Sequence, residues 1–448
     1  MSSTARPRAK FDPIRFGLAA VNRLASSPAL DRFNLRKPTE RVIYTATKTG
    51  FQTVTAASRV FARSGNRSKP ARPGRPSSAG LFDLTPTEDQ QMLVEVVREF
   101  ASEKVRPVAA EADAACAAPA DVLATAAELG ITQVGVPEEV GGLSSERTAV
   151  TNVLVAEALA HGDLGIAVSC LAPAAVSSAL SLWGTAAQQD TYLPALVGDA
   201  PPAAALTLLE PRAGFDPGAL QTVATPAPGG GYTLSGVKSL VPQASTAELF
   251  LVAAQVPGSG PALFVVESGS AGLTVESEPA MGLRAAGMGR LLLDKVSVPG
   301  DAMIPTTDEN GASTYTECVR LGRLGWAALA LGVGQAVVDY VIPYVNDREA
   351  FGEPISHRQA VAFTVADMAI ELDGARLVTY RAASRAEQGL SFAREVALAR
   401  RLASDKGMFI GSAGVQLLGG HGYVKEHPVE RWYRDLRAIG LMEGVVLV

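Results

Sequence analysis

The chain has 448 residues, of which 47% are hydrophobic and 19% charged, and its net charge is −5. That length supplies a large core divided among about two to four packed units. Cys116, Cys170 and Cys318 are odd in number and far apart, and the four histidines show no ligand spacing. This excludes a disulfide framework and a zinc cluster and fits a reducing compartment. No run of about 18 apolar residues stands out, so no membrane-spanning helix is expected. The N-terminus lacks the apolar stretch and cleavage pattern of a secretory signal.

Residues 1–79 carry sixteen Lys and Arg against Asp12, Asp31 and Glu40, a charge of +13, which leaves −18 on the remainder. A basic arm on an acidic body reads as two parts. Within the arm, Ile14, Leu18, Val21 and Leu24 recur at near-helical spacing, and the Ser/Arg/Pro/Gly text from Ser64 to Gly80 has linker composition. Three readings fit the arm: a segment lying on an anionic membrane or a protein partner, an organelle transit peptide, or an extension without its own activity. They place the protein in the cytoplasm, peripherally at a membrane, or in an organelle matrix. No aromatic–basic motif accompanies the charge, so nucleic acid is not an expected partner.

From Phe82 the pattern turns helical. Thr85-Pro86-Thr87-Glu88 offers Thr85 as N-cap, Pro86 at the first helical position and Glu88 three residues after the cap. The helix is expected to run through Val94, Val97, Phe100 and Val105 to Pro107. Further helices are expected over 120–129, 147–160 and 171–183. Between residues 203 and 299 short apolar runs bounded by Gly and Pro read as strands: Tyr232–Gly236, Leu249–Ala253, Ala262–Val266, Arg290–Leu293 and Val296–Pro299. No helices alternate with them, which favours a small barrel or sandwich over a dinucleotide-binding parallel sheet. Helices return from Thr314 and continue to near Phe409. The domains are therefore set at 80–202, 203–305 and 306–448, after the arm at 1–79. The fold class is α+β, mainly α.

Three stretches of the last domain carry chemistry. In Arg348-Glu349-Ala350-Phe351-Gly352, Arg348 and Phe351 are three apart, which on a helix shares one face. A guanidinium grips a diphosphate through two parallel bonds while a ring packs on an adenosine. Gln359 follows within reach. In Gln416-Leu417-Leu418-Gly419-Gly420-His421-Gly422-Tyr423, three glycines within four residues let a backbone approach a ligand closely. Last, Arg434-Asp435 precedes Glu443 by seven residues, Leu436–Met442, and Glu443 stands between Met442 and Gly444. An acid in apolar company suits proton abstraction.

Together these stretches resemble the C-terminal signature of the acyl-CoA dehydrogenases: Arg-x-x-Phe-Gly with a following Ile and Gln, then Gln-x-x-Gly-Gly-x-Gly-Tyr, then Arg-Asp, seven residues and Glu-Gly. Glu128-Leu129-Gly130, Pro137 to Gly142 and Tyr192-Leu193-Pro194 resemble phrases of that family's N-terminal domain. The resemblance covers roughly residues 82–448. It implies an N-terminal helical domain, a central β-barrel or sandwich, and a C-terminal helical bundle. It also implies α,β-dehydrogenation of an acyl-CoA with Glu443 as catalytic base and FAD as hydride acceptor. Arg348, Phe351, Gln359, Gln416, Gly419 and Gly420 would hold the FAD of a neighbouring chain across a dimer interface. Electrons would pass to an electron-transfer flavoprotein, and the assembly would be a homo- or hetero-dimer or tetramer. Some members of the family place the base just before an Arg that aligns with Arg323; here Gly322 stands there.

The middle domain departs from the pattern. The family's Thr-Glu-Pro-x-Ala-Gly-Ser-Asp is Leu209-Glu210-Pro211-Arg212-Ala213-Gly214-Phe215-Asp216, and its Lys-x-Trp-Ile-Thr-Asn is Lys238-Ser239-Leu240-Val241-Pro242-Gln243. Leu209, Phe215, Leu240 and Pro242 thus replace four flavin contacts. The alternative that follows is a degenerate or partner-dependent subunit of a mixed assembly; a rival reading keeps the ring on backbone amides near Leu209 and Val241.

Overall fold

The computed structural model describes residues 85–142, 148–198, 200–307 and 313–448. The chain divides into two units, Met1–Leu81 and Phe82–Val448. The expectations for the basic arm fall outside the described residues.

The N-terminal domain is helical: α1 (Glu88–Phe100), α2 (Arg106–Ala115), α3 (Ala120–Glu128), α4 (Ala149–Ala160), α5 (Leu164–Trp183) and α6 (Ala186–Leu196). The cap of α1 is Thr87, not Thr85: its hydroxyl accepts from Gln90 N–H while the Gln90 side chain returns to the Thr87 N–H. Pro86 therefore lies before the helix, and its carbonyl accepts from Gln91. Nor does Pro107 stop the helix. A π-turn, Ala101–Val105, joins α1 to α2, and Pro107 falls at the start of α2, where its missing donor costs little. The helix expected from residue 171 begins at Leu164, capped by Asp163, and continues straight through Pro173. Proline leaves the carbonyl four residues back without its helical donor, and the Gln243 amide fills that vacancy, donating to Ser169 O at 2.7 Å.

The β-layer comprises β1 (Ala204–Thr207), β2 (Val223–Pro226), β3 (Tyr232–Val241), β4 (Leu249–Val256), β5 (Gly260–Glu267), β6 (Leu273–Ser277) and β7 (Gly289–Val298). Six of them run in the order β1-β4-β2-β3-β7-β6, and β5 pairs with β4. The β1–β4 and β2–β4 pairs are parallel and the rest antiparallel. Strand β4 explains its unbroken apolar text: Leu249, Leu251 and Ala253 join the core shared with the helices, whereas Phe250, Val252 and Ala254 fill a second core inside the layer. Period-2 alternation with both faces buried leaves no polar position before Gln255, near the end of the strand.

The C-terminal domain comprises α7 (Thr314–Asp347), a two-stranded hairpin β8–β9 (Glu349–Ala350, Glu353–Pro354), α8 (Gln359–Glu387), α9 (Ala393–Leu418) and α10 (Val429–Ala438). Helices α7 and α9 run in the same direction with α8 antiparallel between them in sequence, so both C-termini and the N-terminus of α8 share one end of the bundle. Among the described residues two helices, α5 and α7, are long and apolar enough to cross a membrane by length and composition, although no apolar run of that length stood out in the sequence. Their most apolar windows are 89% and 67% buried inside the protein, so they serve as core helices. At Gly332, α7 passes α4 so closely that a Cβ would collide with the Glu157 carbonyl.

Candidate active site

The Arg-Asp pair of α10 fixes the segment that ends at Glu443. Asp435 accepts from Leu283 N–H at 2.7 Å. Arg434 donates to Asp113 of α2 at 2.8 and 3.1 Å, to Glu430 at 2.8 and 3.0 Å, and to the Met281 carbonyl at 2.9 Å. Downstream, Gly444 adopts φ +71° and lies so near Leu208 that a Cβ would come within 2.9 Å of it. The Gly444 carbonyl accepts from Trp326 Nε1 at 2.8 Å, and Val445 N–H donates to Leu206 O at 3.1 Å. The backbone thus adds to the edge of β1, leaving Glu443 where α7, α9 and the β-layer meet.

Glu443 is 6% exposed. The sequence placed it in apolar company, and Met442 is indeed fully buried. The carboxylate itself is bracketed by charge. Arg323 Nε lies 3.0 Å from both its oxygens and Arg323 Nη2 2.7 Å from Oε1. Arg400 Nη2 lies 3.7 Å from the same oxygen and donates to the Met442 carbonyl at 2.6 Å. Burial opposes the Arg323 charge, but the Glu443 carboxylate outweighs it and raises the Arg323 pKa. Arg400 is lowered, chiefly by burial. These two arginines were not among the expected site residues; they lie 120 and 43 positions before Glu443, beyond any local motif.

The β-layer side of the site is built on one buried ion pair. Lys238 Nζ donates to Glu210 Oε1 at 3.1 Å and to Leu208 O at 3.2 Å. Glu210 also accepts from Gln221 and Thr222 N–H at 2.8 Å each. Burial lowers the Lys238 pKa to about 8, with Glu210 opposing the fall. For Glu210 burial acts upward, yet Lys238 and the two N–H donors prevail and its pKa is lowered. Leu209 is buried and Phe215 half-buried, with the Arg212 guanidinium 5.5 Å from the Phe215 ring. Nearby backbone donors are engaged within the chain: Ser239 N–H with Leu209 O, Leu240 N–H with Glu278, and Gln243 N–H with Ala286 O. Glu278, which also accepts from Ser239 and Arg290, was not foreseen.

The six residues expected to hold a nucleotide lie together at the other end of the bundle. Arg348 and Phe351 do not share a helical face, as expected from their spacing. α7 stops at Asp347, Arg348 caps it, and Phe351 occupies the turn of the β8–β9 hairpin at φ +58°, 97% exposed. Gly352 and Pro354 favour that turn over a helix. Gln359 opens α8, Gln416 lies in the last turn of α9, and all of Arg348, Gln359 and Gln416 are exposed. The glycines divide by role. A Cβ on Gly419 or Gly420 would meet nothing within 4 Å, whereas one on Gly422 would collide with the Val415 carbonyl. The first two leave their backbone bare and the third serves packing. Tyr344 ties the two loops together: its carbonyl accepts from Arg348 N–H, and its hydroxyl reaches Leu418 O at 3.3 Å and His421 Nδ1 at 2.9 Å.

An exposed guanidinium and bare backbone at one end of the bundle are groups that fit a nucleotide diphosphate. The ring half offers carbon at Leu209, Phe215, Leu240 and Pro242 rather than hydroxyl or indole. Arg323 and Arg348 stand 25 residues apart on α7, about 37 Å at the helical rise, far beyond the reach from a dinucleotide's diphosphate to its ring. One dinucleotide therefore cannot reach both ends of α7 within a single chain. Cavities of about 390 and 340 Å³ flank Cys116 at the α-helical side of the β-layer, and neither is lined by Glu443.

Residues 87–199, 203–296 and 309–446 match the N-terminal, middle and C-terminal domains of the acyl-CoA dehydrogenases. The mitochondrial short-chain specific acyl-CoA dehydrogenase of Bos taurus is 33% identical over 368 residues, covering 80% of this chain and 87% of that one. Butyryl-CoA dehydrogenase from Megasphaera elsdenii superimposes with a TM-score of 0.74 at 31% identity, covering 81% of this chain and 96% of that one. A chain in the structure of the electron transferring flavoprotein of Acidaminococcus fermentans gives 0.72 at 29% identity, covering 81% and 96%.

Proposed function

The chain belongs to the acyl-CoA dehydrogenase family, and we propose that it oxidises an acyl-CoA thioester between its α and β carbons with Glu443 as the base. The observation that carries this reading is the buried Glu443 carboxylate, held between α7, α9 and the edge of β1 by a sequence-distant guanidinium. Glu443 takes the α-proton. The positive charge of Arg400 lies 3.7 Å from that carboxylate, and a fixed charge in a dry site stabilises, without reorganisation, the negative charge that develops as the proton leaves. When bound, FAD supplies the two-electron acceptor for the β-hydrogen.

Arg348, Phe351, Gln359, Gln416, Gly419 and Gly420 hold the FAD of the second chain. Ring contacts come from the apolar wall of Leu209, Phe215, Leu240 and Pro242. An electron-transfer flavoprotein is the proposed acceptor. The experiment is purification followed by anaerobic addition of butyryl-CoA: yellow protein whose flavin band bleaches supports the reading. Protein that stays colourless with added FAD, and turns yellow only on mixing with a second, different chain, assigns the ring to that partner instead.

A further inference from the structure

We propose that Arg323 is a positioning residue that parks the Glu443 carboxylate until an acyl group enters; this rests on Glu443 being the base. Three contacts from one guanidinium, two from Nε and one from Nη2, occupy both carboxylate oxygens. A base whose lone pairs are filled this way faces Arg323 rather than a substrate carbon. Arg400 holds the backbone instead of the carboxylate, through the Met442 carbonyl, and its buried Nη1 has no partner. The division of labour is physical: Arg400 fixes where Glu443 leaves the chain, and Arg323 fixes where its oxygens point.

The clamp has a place to go. Arg323 is about a third exposed at its side chain, against 8% for Glu443. Asp216 acts on it from the flanking β-layer loop, which is anchored to α7 by the Tyr315 hydroxyl on Pro217 O at 2.7 Å. An incoming acyl thioester that frees Glu443 leaves the guanidinium facing Asp216, so the cation stays in the site. The charged and titratable groups around the carboxylate are Arg323 and Tyr315 from α7, Arg400 from α9, and Asp216 with the Glu210–Lys238 pair from the β-layer. Arg323 alone makes the two-oxygen contact.

The test is kcat and KM with butyryl-CoA and a dye acceptor in wild type, R323Q, R323K and E443Q. R323Q removes the contact that sets where the Glu443 oxygens point, so kcat is expected to fall at least about tenfold while the melting temperature holds, with R323K restoring part of the rate. R323Q made in the E443Q background is expected to change the residual rate little, because the two residues act as a unit. A purely structural Arg323 would show no rescue by R323K and would add to E443Q; either outcome overturns the proposal. Full turnover in E443Q instead overturns the base assignment, whatever Arg323 does. If R323Q turns over too slowly, a crystal structure of the ligand-free variant reads the carboxylate directly; oxygens that point as in the wild type overturn the proposal.

Discussion

The two ends of α7 solve opposite problems. At the Arg323 end the buried groups pair inside the chain: Glu443 with Arg323, Lys238 with Glu210, and the Gly444 carbonyl with Trp326. At the Arg348 end the chemistry faces outward, with Phe351 almost wholly exposed and Gly419 and Gly420 bare. One end is finished by its own fold, while the other leaves polar and aromatic groups exposed. Under the proposed function the first end holds the base and the second the cofactor grip, and substitutions can tell them apart.

The sharpest break is E443Q. Removing a general base costs about 10²–10⁴ in rate, so kcat is expected to fall about a thousandfold while the melting temperature and FAD content hold; unchanged turnover would erase the distinction between the ends. Next comes E210A, which leaves Lys238 buried without its counter-charge. Urea denaturation is expected to show a loss of about 3–5 kcal/mol, a stability effect that the exposed end has no means to produce. At that exposed end, R348A removes charge-assisted bonds worth about 1.5–3 kcal/mol. FAD affinity, read by fluorescence titration, is expected to fall roughly 10- to 100-fold with the melting temperature unchanged; destabilisation without loss of affinity would show that Arg348 belongs to the fold.

A finer effect concerns pH. Burial, with Asp163 adding to it, pushes the Asp435 carboxyl up to about 8 from its ordinary 3.8. The folded chain then keeps a proton that the unfolded chain releases. Asp435's contribution to stability is complete below the ordinary value and fades as pH rises towards about 8. Melting curves of D435N are expected to lose that part of the slope. The smallest effect is F351S: at 97% exposure its stability change should stay within about 0.5 kcal/mol, while FAD binding weakens.

The fold was readable because β4 and the helices announce themselves by period and length; Glu443 stood out through the resemblance of the Arg434-Asp435 to Glu443 spacing to a family signature, and the structure buries it. What escaped were features that local pattern cannot encode. Arg323 meets Glu443 across 120 positions, and Glu278 meets Leu240 across 38. Spacing suggested a helix at Arg348–Phe351 because three-residue intervals fit one, but Gly352 and Pro354 set a hairpin there. At the N-terminus two threonines flank Pro86, and the choice of Thr87 was decided by Gln90, which could answer only that cap. The long apolar helices were missed as membrane-length because scattered polar residues interrupt them in the text, whereas burial inside the protein unites them.

Arg434 reaches the first domain at Asp113, the β-layer at the Met281 carbonyl and its own helix at Glu430. Three territories hang on one side chain. Loosening any of them strips bonds from the other two, so the described body is expected to come apart in a single cooperative event, without shedding a domain first.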